Sequence, residues 1–168
     1  MIIFLVRHSH ALADQEDSRR PLSERGRETT KEVAGFFRAS GALAQVHAVW
    51  HSPLARSRET ANLLVKELGL DGLLIEAPGL LPEDNPVPIA DRLDQAAQTV
   101  MIVGHEPQLG ALATLLVSGK VKPVGFEFKK SAVLALERTG RCHKKSGRAC
   151  WRVRWHFSPE LLAAGRAG

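Results

Sequence analysis

The chain opens Met1-Ile2-Ile3-Phe4-Leu5-Val6-Arg7-His8-Ser9-His10, and no other stretch constrains the fold as tightly. Every residue from Ile2 to Val6 is apolar, most of them β-branched or aromatic, with no Gly or Pro among them. Without polar alternation, the run reads as a strand covered on both faces, as in the middle of a parallel sheet. It stops abruptly at a guanidinium and an imidazole. Such groups are costly beside a core strand unless something uses them. Open α/β sheets bind ligands beyond the carboxyl ends of their strands. Position alone makes Arg7 and His8 candidate site residues; the plain alternative is a surface loop in which Arg7 pairs with a nearby carboxylate.

The pattern of strand followed by polar or cationic residues returns twice. Val46 to His51 reads as a second strand ending at Ser52-Pro53, and Thr99 to Val103 as another ending at Gly104-His105-Glu106-Pro107. Helices fit between. Ser23 is an N-cap for a helix to about Ala39, with Val33, Phe36 and Phe37 as core contacts and Ser40-Gly41 as the stop. Leu54 to Leu68 repeats apolar residues on one face (Leu54, Ala61, Leu64, Val65, Leu68), with Gly69 as its cap. A short strand spans Leu73 to Glu76. Ala77 to Pro88 is a Pro-rich loop carrying Glu83 and Asp84, followed by a short helix, Ile89 to Ala97. Pro107 suits the first turn of a helix reaching about Val117. Lys120 to Lys130 reads as a connecting loop. Ala132–Leu136 and Trp151–Phe157 read as strands joined by a basic turn. The alternation predicts one domain over 1–168: a three-layer α/β/α architecture with a mostly parallel central sheet and an antiparallel C-terminal hairpin.

Composition narrows the partners. No apolar run approaches the ~18 residues of a membrane span, and the chain begins directly in a strand without a basic leader, which predicts a cytoplasmic protein without membrane contact. Formal net charge is +5 and the pI about 9.6, so nucleic acid has to be weighed. Much of the excess is local to the last fifth of the chain, from Arg138 to Arg154. The chain has no Tyr, and its Phe residues lie mostly in apolar runs, so base-stacking platforms are not evident. A solvated basic hairpin is expected and no nucleic acid. Cys142 and Cys150 read as free thiols in a cytoplasmic chain, with a disulfide across the hairpin left open.

If the three strands are parallel neighbours, Arg7 and His8, Ser52 and Arg56, and His105 converge on one sheet edge. Two arginines and two histidines in one cleft repel one another unless an anion joins them, and phosphate matches the guanidinium fork. At these residues the chain resembles the histidine phosphatase superfamily, whose fold is phosphoglycerate mutase-like. Leu5-Val6-Arg7-His8-Ser9-His10-Ala11 is similar to its first motif, with Ser9 in place of the usual glycine. Ser52 to Ala61 resembles its arginine-bearing helix start, and Val103-Gly104-His105 its second histidine. Arg20-Pro21-Leu22-Ser23, Gly26 and the small size resemble the SixA-like phosphohistidine phosphatases. The resemblance implies His8 as nucleophile, with Arg7, Arg56 and His105 around the phosphate. It puts Arg20 on the substrate side; Ser9 and Glu83 are assigned there as well.

The chemistry can be followed without the family. A neutral imidazole is a good nucleophile near pH 7. It would form a phosphohistidine intermediate that water hydrolyses, with no metal or other cofactor, because arginines supply the positive charge. A phosphate ester leaves as an alkoxide and needs a strong acid, for which Glu83 or Asp84 is available and Glu106 is a further carboxylate near the cleft. A phosphohistidine leaves as an imidazole, which protonates around its own pKa of about 6.5. The reading is a phosphatase acting on a phosphohistidine-bearing protein, such as a phosphotransfer domain, releasing phosphate. The alternatives are a phosphomonoesterase, a metal-dependent hydrolase using His8, His10, Asp14 and His105, and a noncatalytic phosphate-binding module.

Overall fold

The structure, a computed structural model, describes residues 1–164. Its strands are β1 Ile2–Arg7, β2 Ala48–His51, β3 Leu73–Glu76, β4 Val100–Gly104, β5 Val133–Cys142 and β6 Ala149–Phe157. The helices are α1 Glu24–Ser40, α2 Ala55–Leu68, α3 Val87–Gln95, α4 Gln108–Ser118 and α5 Glu160–Ala164. One six-stranded sheet has the order β3-β2-β4-β1-β5-β6. β3, β2, β4 and β1 run parallel, β5 is antiparallel to β1, and β6 to β5. Among the described residues no helix is long and apolar enough to cross a membrane.

The unbroken apolar run of β1 is explained by two cores. Ile3 and Leu5 point into one, with Trp50, Ile102, Leu109 and Phe128. Phe4 and Val6 point into the other, with Val33, Phe37, Leu64 and Val103. Adjacent strand residues face opposite sides, so a strand in the central layer must be apolar at every position. Helices α3 and α4 cover the first face, and α1 and α2 the second. The edge strand β3 carries no such burden, and its Leu73 and Leu74 are exposed.

Local signals act as expected at most boundaries. Ser23 caps α1 by accepting the Gly26 N–H at 3.1 Å, and Gly41 and Gly69 close α1 and α2 in the left-handed conformation. Three details differ. Phe36 is 44% exposed rather than a core contact; its ring stacks on Phe157 of the edge strand β6 at 5.0 Å. Helix α3 begins at Val87, because Pro86 and Pro88 fit a first helical turn. The hairpin strands are longer than the apolar pattern suggests, since β5 and β6 continue pairing to Cys142 and Ala149 after one face has turned to solvent.

The basic hairpin is partly neutralised rather than simply solvated. Arg152 and Arg154 both reach Glu137, at 2.7 and 3.2 Å. Arg148 pairs with Asp91 on α3 at 2.6 Å. Cys142 and Cys150 are free thiols.

Candidate active site

Register assembles the site. Arg7 is level with Gly104 on β4, and His51 with Val103. The chain therefore leaves β1, β2 and β4 at one height, and backbone bonds continue the pairing past the strand ends, from His8 N–H to the Gly104 carbonyl (3.0 Å) and from Ser52 N–H to the Val103 carbonyl (3.2 Å). His8 and His105 are buried, with ring centroids 4.8 Å apart. Arg7 and Arg56 lie close enough to depress the pKa of both.

Hydrogen bonds fix which nitrogen of each ring is available. A carbonyl only accepts, so His8 Nδ1 carries the proton it donates to the Ser9 carbonyl at 2.7 Å. Nε2 then holds the lone pair. The His105 ring is set by Ser52, whose Oγ lies 2.8 Å from Nε2 and accepts the Leu54 N–H at 3.3 Å. Ser52 is fully buried, and among the described residues Nε2 is the acceptor its proton reaches. That leaves the proton of His105 on Nδ1, a buried donor without a protein partner. Arg7 Nε is another such donor, while Arg7 Nη1 donates to the Phe128 carbonyl at 2.6 Å. Buried donors are rarely left unpaired, and two in one cationic cleft suit an oxyanion.

Burial, foremost, brings the His8 pKa down to about 3, helped by His105, Arg56 and Arg7 and opposed by the Ser9 bond. His105 also falls to about 3, through burial and then Arg56 and Arg7. Both rings are thus neutral near pH 7. The sign for stability follows. Above pH 6.5 neither folded nor unfolded chain protonates these rings. Between 6.5 and about 3 the unfolded chain takes up protons that the folded chain refuses, so stability falls as pH is lowered. Each ring contributes at most about 1.4 kcal/mol per pH unit. Thermal melts across that window should show the decline, and His8→Asn should flatten it. An unchanged slope in the variant would mean that His8 takes up its proton in the fold as readily as in the unfolded chain.

The remaining candidates fall into place unevenly. Ser9 is fully buried: its N–H donates to Thr60 Oγ1 (3.1 Å), its hydroxyl donates to the Gly26 carbonyl (2.8 Å), and it receives the Ser131 hydroxyl at 2.6 Å. These bonds fasten the loop after His8 to α1, α2 and the start of β5. Arg20 is left-handed, with φ 49°. The bend returns the chain so that Pro21 and Leu22 pair with Leu12 and Ala11, and puts Arg20 within electrostatic reach of Arg56. Glu83 is exposed on its loop, and the Asp84 carboxylate accepts the Leu81 N–H at 2.8 Å. Glu106 stands closer. Its Oε1 accepts the Phe128 N–H at 3.0 Å, and burial raises its pKa against the opposing pull of that bond and of Arg7. Phe128 thus joins Glu106 through its N–H and Arg7 through its carbonyl. His10 Nδ1 is bound to Ser23 Oγ at 2.8 Å and Asp14 is exposed, so His8, His10, Asp14 and His105 form no ligand set. No other metal-holding cluster occurs among the described residues.

Sequence reading did not single out Thr60, Phe128 or Ser131. A signal was present in Phe126-Glu127-Phe128, the two aromatics in a connection rich in lysine. Thr60 and Ser131 carry none, because a hydroxyl pairs with whatever the fold brings to it.

Comparisons with known proteins identify the family and the fold. Residues 3–80 match the model of the histidine phosphatase superfamily, branch 1. The uncharacterized protein Rv1276c of Mycobacterium tuberculosis is 30% identical over 149 residues, 84% of this chain and 82% of that protein. The protein histidine phosphatase SixA, solved in complex with tungstate, superposes with a TM-score of 0.79 at 25% identity, covering 96% of this chain and 99% of that one. The α-ribazole phosphatase of Shigella flexneri shares the fold, with a TM-score of 0.64 at 16% identity over 91% and 95% of the two chains. The chain belongs to the histidine phosphatase superfamily, a family of phosphatases with a histidine nucleophile.

Proposed function

We propose that the protein removes phosphate from a phosphohistidine carried by another protein, through a phosphoryl group held on His8. The observation that carries the mechanism is the bond from His8 Nδ1 to the Ser9 carbonyl, which leaves a neutral Nε2 lone pair among His105, Arg7 and Arg56. Nε2 attacks phosphorus, a new N–P bond forms, and the substrate's N–P bond breaks. The departing imidazole keeps the electron pair and is protonated from solvent. Water then attacks phosphorus, the bond to Nε2 breaks, and phosphate leaves. Arg7, Arg56 and the Nδ1–H of His105 receive the oxygens on which charge is redistributed, and losing one such donor typically costs ~3–4 kcal/mol. The likeness to SixA and to its tungstate complex, a tetrahedral oxyanion, supports this reading.

The leaving group favours a phosphoramidate. An imidazole needs no strong acid, Glu83 is exposed, and Asp84 serves its own turn. One observation favours a second reading, a phosphomonoesterase: the raised pKa of Glu106 would suit a general acid.

The test is phosphate release from a phosphohistidine protein and from a small phosphate ester, by the unmodified chain and by Glu106→Gln, each with and without chelator. The proposal expects turnover of phosphohistidine that exceeds ester turnover by at least about 100-fold and changes little in the variant. Fast ester hydrolysis, lost selectively in Glu106→Gln, would replace the proposal by the second reading. Activity lost only to chelator would overturn both.

A further inference from the structure

A hollow of about 550 Å³ opens beside the site, sharing Arg7 with it and walled further by His10, Arg25, Lys129 and Lys130. Its cations are crowded. Partial burial, then Arg7, Arg20 and Arg25, hold the Lys130 ammonium below its ordinary pKa. Among the described residues no salt bridge joins Arg20, Arg25, Lys129 or Lys130 to a carboxylate. The hairpin cations contrast with this, since Arg148, Arg152 and Arg154 have Asp91 and Glu137. Unpaired charge of one sign is therefore concentrated at the cleft's margin, where it attracts an oppositely charged surface and speeds encounter.

The hollow is also polarised. Arg25, Thr29 and Glu32 line it from one face of α1, and at 1.5 Å per residue Glu32 lies about 10 Å from Arg25. Glu160 lines it too. The cationic end adjoins Arg7, and the acids come from farther along α1 and from α5. A lone phosphate is too small to span this length; a stretch of polypeptide is not.

We infer that this hollow docks an acidic segment of the partner protein, with carboxylate side chains on Arg25 and Lys130 while the phosphorylated residue enters the cleft. The inference builds on the reading above, that the substrate is a protein. It adds that the substrate carries Asp or Glu beside its phosphohistidine.

Binding of unphosphorylated, fluorescently labelled peptides tests it, because their binding does not depend on the reaction. An Asp/Glu-rich peptide and its Asn/Gln counterpart of the same length are titrated against the unmodified chain, the Arg25→Glu/Lys130→Glu variant and the Lys144→Glu/Lys145→Glu variant. The last pair is exposed on the hairpin turn and changes net charge equally. The acidic peptide should bind at least about tenfold more tightly than its counterpart. The first variant should lose about tenfold, in line with two exposed ion pairs reversed, and the second less than about twofold. Equal losses from the two variants, or no preference in the unmodified chain, would overturn the inference. Phosphohistidine turnover measured alongside separates the two ideas. Intact turnover without peptide preference sinks the docking site alone; peptide preference without phosphohistidine turnover sinks the substrate reading.

Discussion

Replacing His8 by alanine should lower turnover by about 10⁴-fold or more, the scale seen when a covalent catalyst loses its nucleophile. The size follows from what remains. Arg7, Arg56 and His105 could still hold the phosphate, but water would have to attack unaided. The informative readout is the intermediate. Rapidly quenched unmodified chain should carry a phosphoryl group on His8, stable to base and labile to acid, and His8→Ala should carry none. Loss of folding is a poor explanation of the expected result, since removing a ring that refuses a proton should make the variant more resistant to mild acid than its parent. A phosphoryl group found on His105 or on a carboxylate, or turnover that survives the substitution, would discard the assignment of His8. His105→Ala gives the comparison. Its ring supplies one donor, so a fall of about 10²–10³-fold is expected, with the intermediate still formed on His8.

What could be read in the sequence was the part fixed by short-range pattern. Five consecutive apolar residues have few placements other than a doubly covered strand, and a strand in the central layer forces its ends to the sheet edge. Arg7, His8, Ser52, Arg56 and His105 are all located by that rule, because Arg7 ends its strand and each of the others follows one within a few residues. Residues that act through side-chain chemistry at long range escaped. Phe128 is 121 positions from Arg7, and the bond between them depends on the whole path through α4. Glu83 and Asp84 stand out as two acids in a Pro-rich loop; Glu106 is marked only by its place next to His105, yet it is the carboxylate that shares Phe128 with Arg7. Charge misled in the same way. The densest run of basic residues lies on the hairpin, where acids on β5 and α3 meet it, while Arg25 and Lys130, more than a hundred positions apart, add up at the cleft.

Gly26→Ala should be the most damaging glycine-to-alanine change among the described residues, lowering both stability and rate. A Cβ on Gly26 would stand 2.0 Å from the carbonyl oxygen of His10 and 2.9 Å from its carbon, and both are backbone atoms that no rotamer change moves aside. Relief requires α1 and the loop after His8 to separate by about 1 Å. That movement opposes the bonds uniting them: Ser9 Oγ to the Gly26 carbonyl at 2.8 Å, Ser23 N–H to the His10 carbonyl at 3.0 Å, and the His10 Nδ1–Ser23 Oγ contact at 2.8 Å. Overpacking of this kind costs about 3 kcal/mol at its upper range, which for a chain of this size lowers Tm by roughly 6–12 °C. The rate should fall as well, since a misplacement of about 1 Å at a reacting group can cost about 10²-fold, and the displaced loop carries the Ser9 carbonyl that holds His8. Gly35→Ala is the matched control in the same helix. Nothing lies within 4 Å of its Cβ position, so alanine should leave the rate alone and stabilise by about 0.5–1 kcal/mol through helix propensity. If both variants melt and turn over alike, the first turn of α1 does not set the position of His8, and the anchoring of His8 must be sought at Thr60 and Ser131 instead.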